Sequence, residues 1–250
     1  MKKFFDKDET LFAVFWIIAY VVCFSAADFI SEKLGMPKVV TVAVGLVMSV
    51  VLLVFILKNK LATYFGLCGF KGNLAHFLFF LPLIAVTTVN LWTGVAVTMP
   101  TGELILNVAC MCFVGFLEEM IFRGLLFKGM CKINVKLAIL ISALTFGAGH
   151  AVNLLTGAEI FETAMQLIYA TAAGFCFTAV FYAGKSLIPC ILSHALYNSL
   201  GFFGITPGKG TFVLVVAIET TICLGYSFWL LRGKWTSAET SEESTVQTSE

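Results

Sequence analysis

Three short stretches of this 250-residue chain carry side chains able to move protons, in surroundings where such groups are costly. They are Glu118-Glu119-Met120-Ile121-Phe122-Arg123, Phe146-Gly147-Ala148-Gly149-His150 and His194-Ala195-Leu196-Tyr197-Asn198. On a helix, Glu119 and Arg123 share a face at four-residue spacing, with the acid on the favourable N-terminal side. Glu118 then lies about 100° around the helix and stays outside that pair. Burial beside a second acid is how a carboxyl is prepared as a general base or acid. His194 and Asn198 share a face by the same four-residue spacing. The glycines before His150 allow a close helix approach.

The elements that position these groups must sit in lipid. The chain is 59% hydrophobic and only 12% charged, with a mean hydropathy of +0.95. Soluble domains run at about 45–50% apolar and about 25% charged residues. A chain of this size cannot hide so much apolar surface within itself. The net charge of +1 says nothing about partners, and there is no basic run of the kind that binds nucleic acid. The eight cysteines are scattered, mostly in apolar stretches, and no CxxC occurs. They read as buried thiols acting as small apolar side chains rather than as a zinc or redox motif.

A membrane span needs about 20 mostly apolar residues. Eight segments qualify by eye: 11–30, 39–57, 74–97, 103–127, 135–152, 163–183, 187–203 and 211–231. The first is too long for a signal peptide and lacks a small-residue cleavage site. With the N-terminus in the cytoplasm, thirteen basic residues fall inside, Arg123 among them, and three outside: Lys33, Lys38 and Lys209. The expected fold is therefore all-α, a polytopic bundle of about eight spans with both termini cytoplasmic. Residues 1–232 form the membrane domain. Residues 233–250, rich in Ser, Thr and Glu, read as a disordered polar tail. Residues 58–73 mix basic and apolar side chains and suit the inner membrane surface.

Depth gives a consistency test. At 1.5 Å per residue, Glu118 lies roughly 15 Å from Lys128 and His150 roughly 21 Å from Lys136. His194 and Asn198 lie roughly 13 and 20 Å from Lys185 by the same rise. Three helices thus bring their polar groups to one level of a core about 30 Å thick. A lone membrane histidine is more often a packing hydrogen-bonder, and a lone Glu–Arg pair can be structural glue. Two histidines level with a double acid favour a site. His76 and Asp28 fall near span ends and read as interfacial, whereas Glu219 is an intramembrane acid with no evident partner.

EExxxR, FxxxH and HxxxN, each on its own helix and in this order, resemble the CaaX-prenyl-protease and bacteriocin-processing family of intramembrane glutamic endopeptidases. The resemblance covers roughly 115–201 by motif, and every motif position is intact. It implies that Glu118 activates a water, that His150 holds or polarises it, and that His194 and Asn198 stabilise the oxyanion. Glu119 and Arg123 would be a supporting pair, with Phe146 beside them. It implies no metal or other cofactor. The partners expected are membrane lipid and a hydrophobic or lipid-anchored peptide or protein, reaching the site from the cytoplasmic side.

Rival readings remain. Two histidines and a glutamate could ligate zinc, although no HExxH is present. Glu118, His150, His194 and Glu219 could form the relay of a proton-coupled transporter. A non-catalytic binder of the bacteriocin-immunity kind is the third rival. The compact chain, without organelle signals, points to a bacterial plasma membrane.

Overall fold

A computed structural model describes residues 1–247, and side chains throughout this range except Thr156 and those beyond Arg232. The expected tail, 233–250, therefore lies outside the residues whose side chains are described. Among the described residues, ten α-helices run in the order α1 (Lys2–Lys7), α2 (Glu9–Lys33), α3 (Val39–Lys58), α4 (Leu81–Thr87), α5 (Thr101–Glu118), α6 (Lys128–Cys131), α7 (Val135–Gly149), α8 (Ile160–Gly184), α9 (Ile188–Leu200) and α10 (Lys209–Gln247). A π-helical segment, Glu119–Phe127, joins α5 to α6, and a 3-10 turn, His150–Thr156, follows α7. Among the described residues there is no β-strand.

Local signals set the helix ends. Asp8 caps α2 by accepting from the Leu11 amide at 2.8 Å, and Asn134 caps α7 by accepting from Leu137 at 2.9 Å. A proline occupies the first turn of α9, where its missing N–H costs nothing.

Among the described residues, six helical stretches are long and apolar enough to cross a membrane: Glu9–Lys33, Val39–Lys58, Thr101–Cys131, Val135–Leu155, Ile160–Gly184 and Lys209–Arg232. The expected spans 74–97 and 187–203 are shorter pieces. The first is broken because Leu78, Phe79 and Phe80 all adopt positive φ, Pro82 follows, and α4 stops at Thr87. The second holds only the 13 residues of α9. Large apolar side chains such as Leu46, Val47, Leu192 and Phe228 face outward, as lipid contact requires.

The bundle has two distinct ends. At one end Glu9 meets Lys132 and Tyr64, Lys71 N–H donates to the Gly184 carbonyl, and Trp229 Nε1 donates to the His76 carbonyl. Segment 58–73 is here, but it is not merely spread on a surface: Phe65 is fully buried and Tyr64 packs against Phe5. At the other end Lys38 meets Asp28, and the extended stretch near Val95 pairs with Gly204. Arg123 belongs to neither end, since its side chain has no exposure. It drops out of the basic-residue count, and the first end keeps its large excess without it.

The core is built around α8 and the π segment. All nine residues of the π segment are buried. Ser142 Oγ of α7 donates to the Phe122 carbonyl at 2.9 Å, giving the segment an acceptor contact from a neighbouring helix.

Candidate active site

The site forms where α5 runs into the π segment and meets α9. Gly115 permits this meeting: a Cβ there would stand 2.7 Å from the Ala195 backbone nitrogen. The close approach brings both adjacent glutamates to one imidazole. Glu119 Oε1 lies 2.8 Å from His194 Nδ1, and Glu118 Oε2 lies 3.5 Å from His194 Nε2. Glu119 Oε1 also accepts from Arg123 Nη1 at 2.9 Å, with both side chains wholly buried. A carboxylate held by arginine is an acceptor, so the tautomer assigned to His194 carries its proton on Nδ1. Glu118 Oε1 accepts from Tyr20 Oη at 2.7 Å, while Glu118 Oε2 has no hydrogen-bond partner among the described residues.

Aromatic rings hold this group in place. Phe177 stacks on His194 at 5.6 Å, and Phe146 meets the same ring edge-on at 5.6 Å. Phe146 also packs edge-on against His150 at 5.4 Å and lies under the Arg123 guanidinium at 4.2 Å. It thus touches three of the polar residues picked from the sequence. Of the glycines before His150, Gly147 is needed for close packing, since a Cβ there would collide with Thr171 of α8. Gly149 faces open space.

A cavity of about 470 Å³ is walled by Tyr20, Glu118, Phe146, His150 and Asn198. His194 lines a smaller adjoining pocket with His150 and Asn198. Glu119 and Arg123 stand behind the wall. The structure therefore brings together all seven residues singled out in the three motifs, and sorts them by access. His150 sits where α7 gives way to the 3-10 turn.

The cavity runs from Glu118 towards Asp28, Lys38 and Thr41. Lys38 Nζ donates to both Asp28 oxygens at 2.9 Å, and Thr41 donates to the same carboxylate. These residues mark the end poor in basic residues.

Two participants escaped the sequence reading. Tyr20 lies in an apolar run with nothing to distinguish it, except that a buried tyrosine hydroxyl needs a partner. Asn90 donates Nδ2 to the Tyr197 carbonyl at 2.8 Å and so anchors α9 between His194 and Asn198.

Fold and site define a class: a multi-pass helical membrane protein with a buried carboxylate–imidazole centre open to a cavity. Residues 100–200 match the family model described as type II CAAX prenyl endopeptidase Rce1-like. The matched stretch is less than half of the chain, and it contains all three motifs. The similarity to this family thus covers the stretch that holds the site. No curated protein and no solved structure matches it.

Proposed function

We propose that the protein is an intramembrane endopeptidase that hydrolyses peptide bonds of membrane-associated or hydrophobic substrates with a glutamate-activated water. The observation that carries this reading is the His194 ring bracketed by Glu118 and Glu119, with Glu118 in the wall of the cavity. Glu118 accepts a proton from a water that His150 helps hold, and the hydroxide attacks the scissile carbonyl carbon. Asn198 donates to the oxyanion as it develops, and His194, positioned by Glu119 through its Nδ1–H, turns Nε2 toward the same place and donates there when that nitrogen carries a proton. The C–N bond then breaks as Glu118 returns its proton to the amide nitrogen. Glu119 and Arg123 orient His194 without touching substrate.

Water activation by a carboxylate is favoured over metal activation by the commitments of these groups. Glu119 is engaged by Arg123 and His194, and Glu118 by Tyr20. Among the described residues, no three His, Cys, Asp or Glu side chains come together as metal ligands. The basic end would face the cytoplasm and the cavity mouth would face the opposite side.

The test is cleavage of a membrane-anchored peptide library by the purified, detergent-solubilised protein, beside Glu118→Gln, with and without a chelator. Cleavage by the unmodified protein alone, insensitive to chelation, is expected. Cleavage by Glu118→Gln, or its loss on chelation, would overturn the mechanism.

A further inference from the structure

Glu219 of α10 is an acid that the reaction does not use, and it is 2% exposed. Tyr197 Oη donates to its Oε2 at 3.4 Å, while Oε1 has no partner among the described residues. The carboxyl lines a second cavity of about 160 Å³, set beside the candidate active site. Both cavities share Asn90, Tyr169, Tyr197 and Gly201 in their walls. A peptide lying in the larger cavity therefore has a side pocket within reach of a neighbouring side chain.

The pocket's chemistry selects its occupant. Its wall has one carboxyl and no basic residue. Ile205, Val215 and Val216 supply apolar surface for an alkyl stem, and the Tyr169 and Phe212 rings suit a cation. A buried carboxylate oxygen without a partner is costly, and an ammonium or guanidinium would satisfy it. Tyr197 is on α9 between His194 and Asn198, so the pocket is fixed relative to the candidate catalytic groups.

We propose that this pocket is a specificity subsite taking a lysine or arginine side chain of the substrate, with Glu219 as its anionic receptor. The inference rests on the peptidase reading for the identity of the ligand as a peptide.

The experiment measures binding to the Glu118→Gln protein, so that cleavage does not intervene. The probes are N-myristoylated, C-amidated Ala/Leu dodecapeptides in which one lysine is moved position by position, each compared with its norleucine counterpart. A charge-assisted, desolvated contact predicts about tenfold or stronger preference for lysine at one position. Adding Glu219→Gln should abolish the preference while norleucine peptides bind as before. Equal binding of lysine and norleucine peptides at every position would overturn the subsite, whether or not the Glu219→Gln protein folds. So would a preference that survives in folded Glu219→Gln protein. Cleavage of the same peptides with Glu118 intact reports separately. Lysine-selective binding without any cleavage would sink the peptidase reading and leave the subsite standing.

Discussion

His194 is fixed to Glu119 through a 2.8 Å contact between Nδ1 and Oε1 in the interior of the bundle. Because the same Glu119 oxygen accepts from Arg123, the imidazole is oriented by a charged pair that the cavity never touches. The second ring nitrogen is thereby aimed at Glu118, 3.5 Å away. Reactive and orienting glutamates are neighbours in sequence but play separate parts in space.

Glu118→Gln should abolish cleavage and leave folding intact. The amide is nearly isosteric and still accepts from Tyr20, but it cannot take a proton from water. Loss of a general base predicts a fall in kcat of about 10²–10⁴. Single-turnover rates beside size-exclusion profiles of the two proteins would check this. A folded variant with normal turnover would remove Glu118 from the reaction.

Arg123→Ala should lower the folded yield rather than only the rate. It takes the guanidinium from a wholly buried carboxylate and leaves that group only its contact with His194; removing one partner of a buried pair costs about 3–5 kcal/mol. Glu119→Gln added to Arg123→Ala should recover part of the yield, because the stranded charge is gone, while activity stays low for want of an oriented His194. Detergent-resistant thermal unfolding of the single and double variants is the measurement. No recovery in the double variant would place the role of Arg123 in packing against Phe146 and Phe177 instead.

Much of this site was legible because its pairs are local. Glu119 with Arg123 and His194 with Asn198 are helix neighbours at four-residue spacing, and depth counting put their helices on one level. What was not legible depends on distant contacts or on backbone that no pattern announces. Tyr20 meets Glu118 across 98 positions of sequence. The π segment begins at Glu119 with no Gly or Pro to mark it. Arg123 was legible as an intramembrane partner of Glu119 and was nonetheless counted with the basic residues of one end; its side chain has no exposure, so it belongs in the first group alone.

Tyr20→Phe tests the long-range contact. The ring still fills its place, so stability should change little. Glu118 loses a donor that holds its Oε1, and a hydrogen bond to a charged group is worth about 1.5–3 kcal/mol. The expected effect is about a tenfold or greater loss of kcat, with KM nearly unchanged. A rise in KM with kcat preserved would instead make Tyr20 a substrate contact in the cavity wall.

The direction of the cavity can be tested with chemistry that stays on one side of the membrane. Ser25 of α2 lines the cavity between Tyr20 and Asp28. Its replacement by cysteine places a thiol along the proposed substrate path, away from Glu118. If the basic end faces the cytoplasm, a membrane-impermeant cationic maleimide should label Ser25→Cys in intact cells, and should label it far more slowly when only the cytoplasmic face of inverted vesicles is exposed. Native cysteines such as Cys23 and Cys112 face outward from the bundle, so the unmodified protein gives the background to subtract. Labelling should also block cleavage, because the adduct occupies the way to Glu118. Fast labelling from the cytoplasmic face alone would reverse the orientation that the basic residues imply. The cavity would then admit substrate from the cytoplasm through the same mouth beside Asp28 and Lys38.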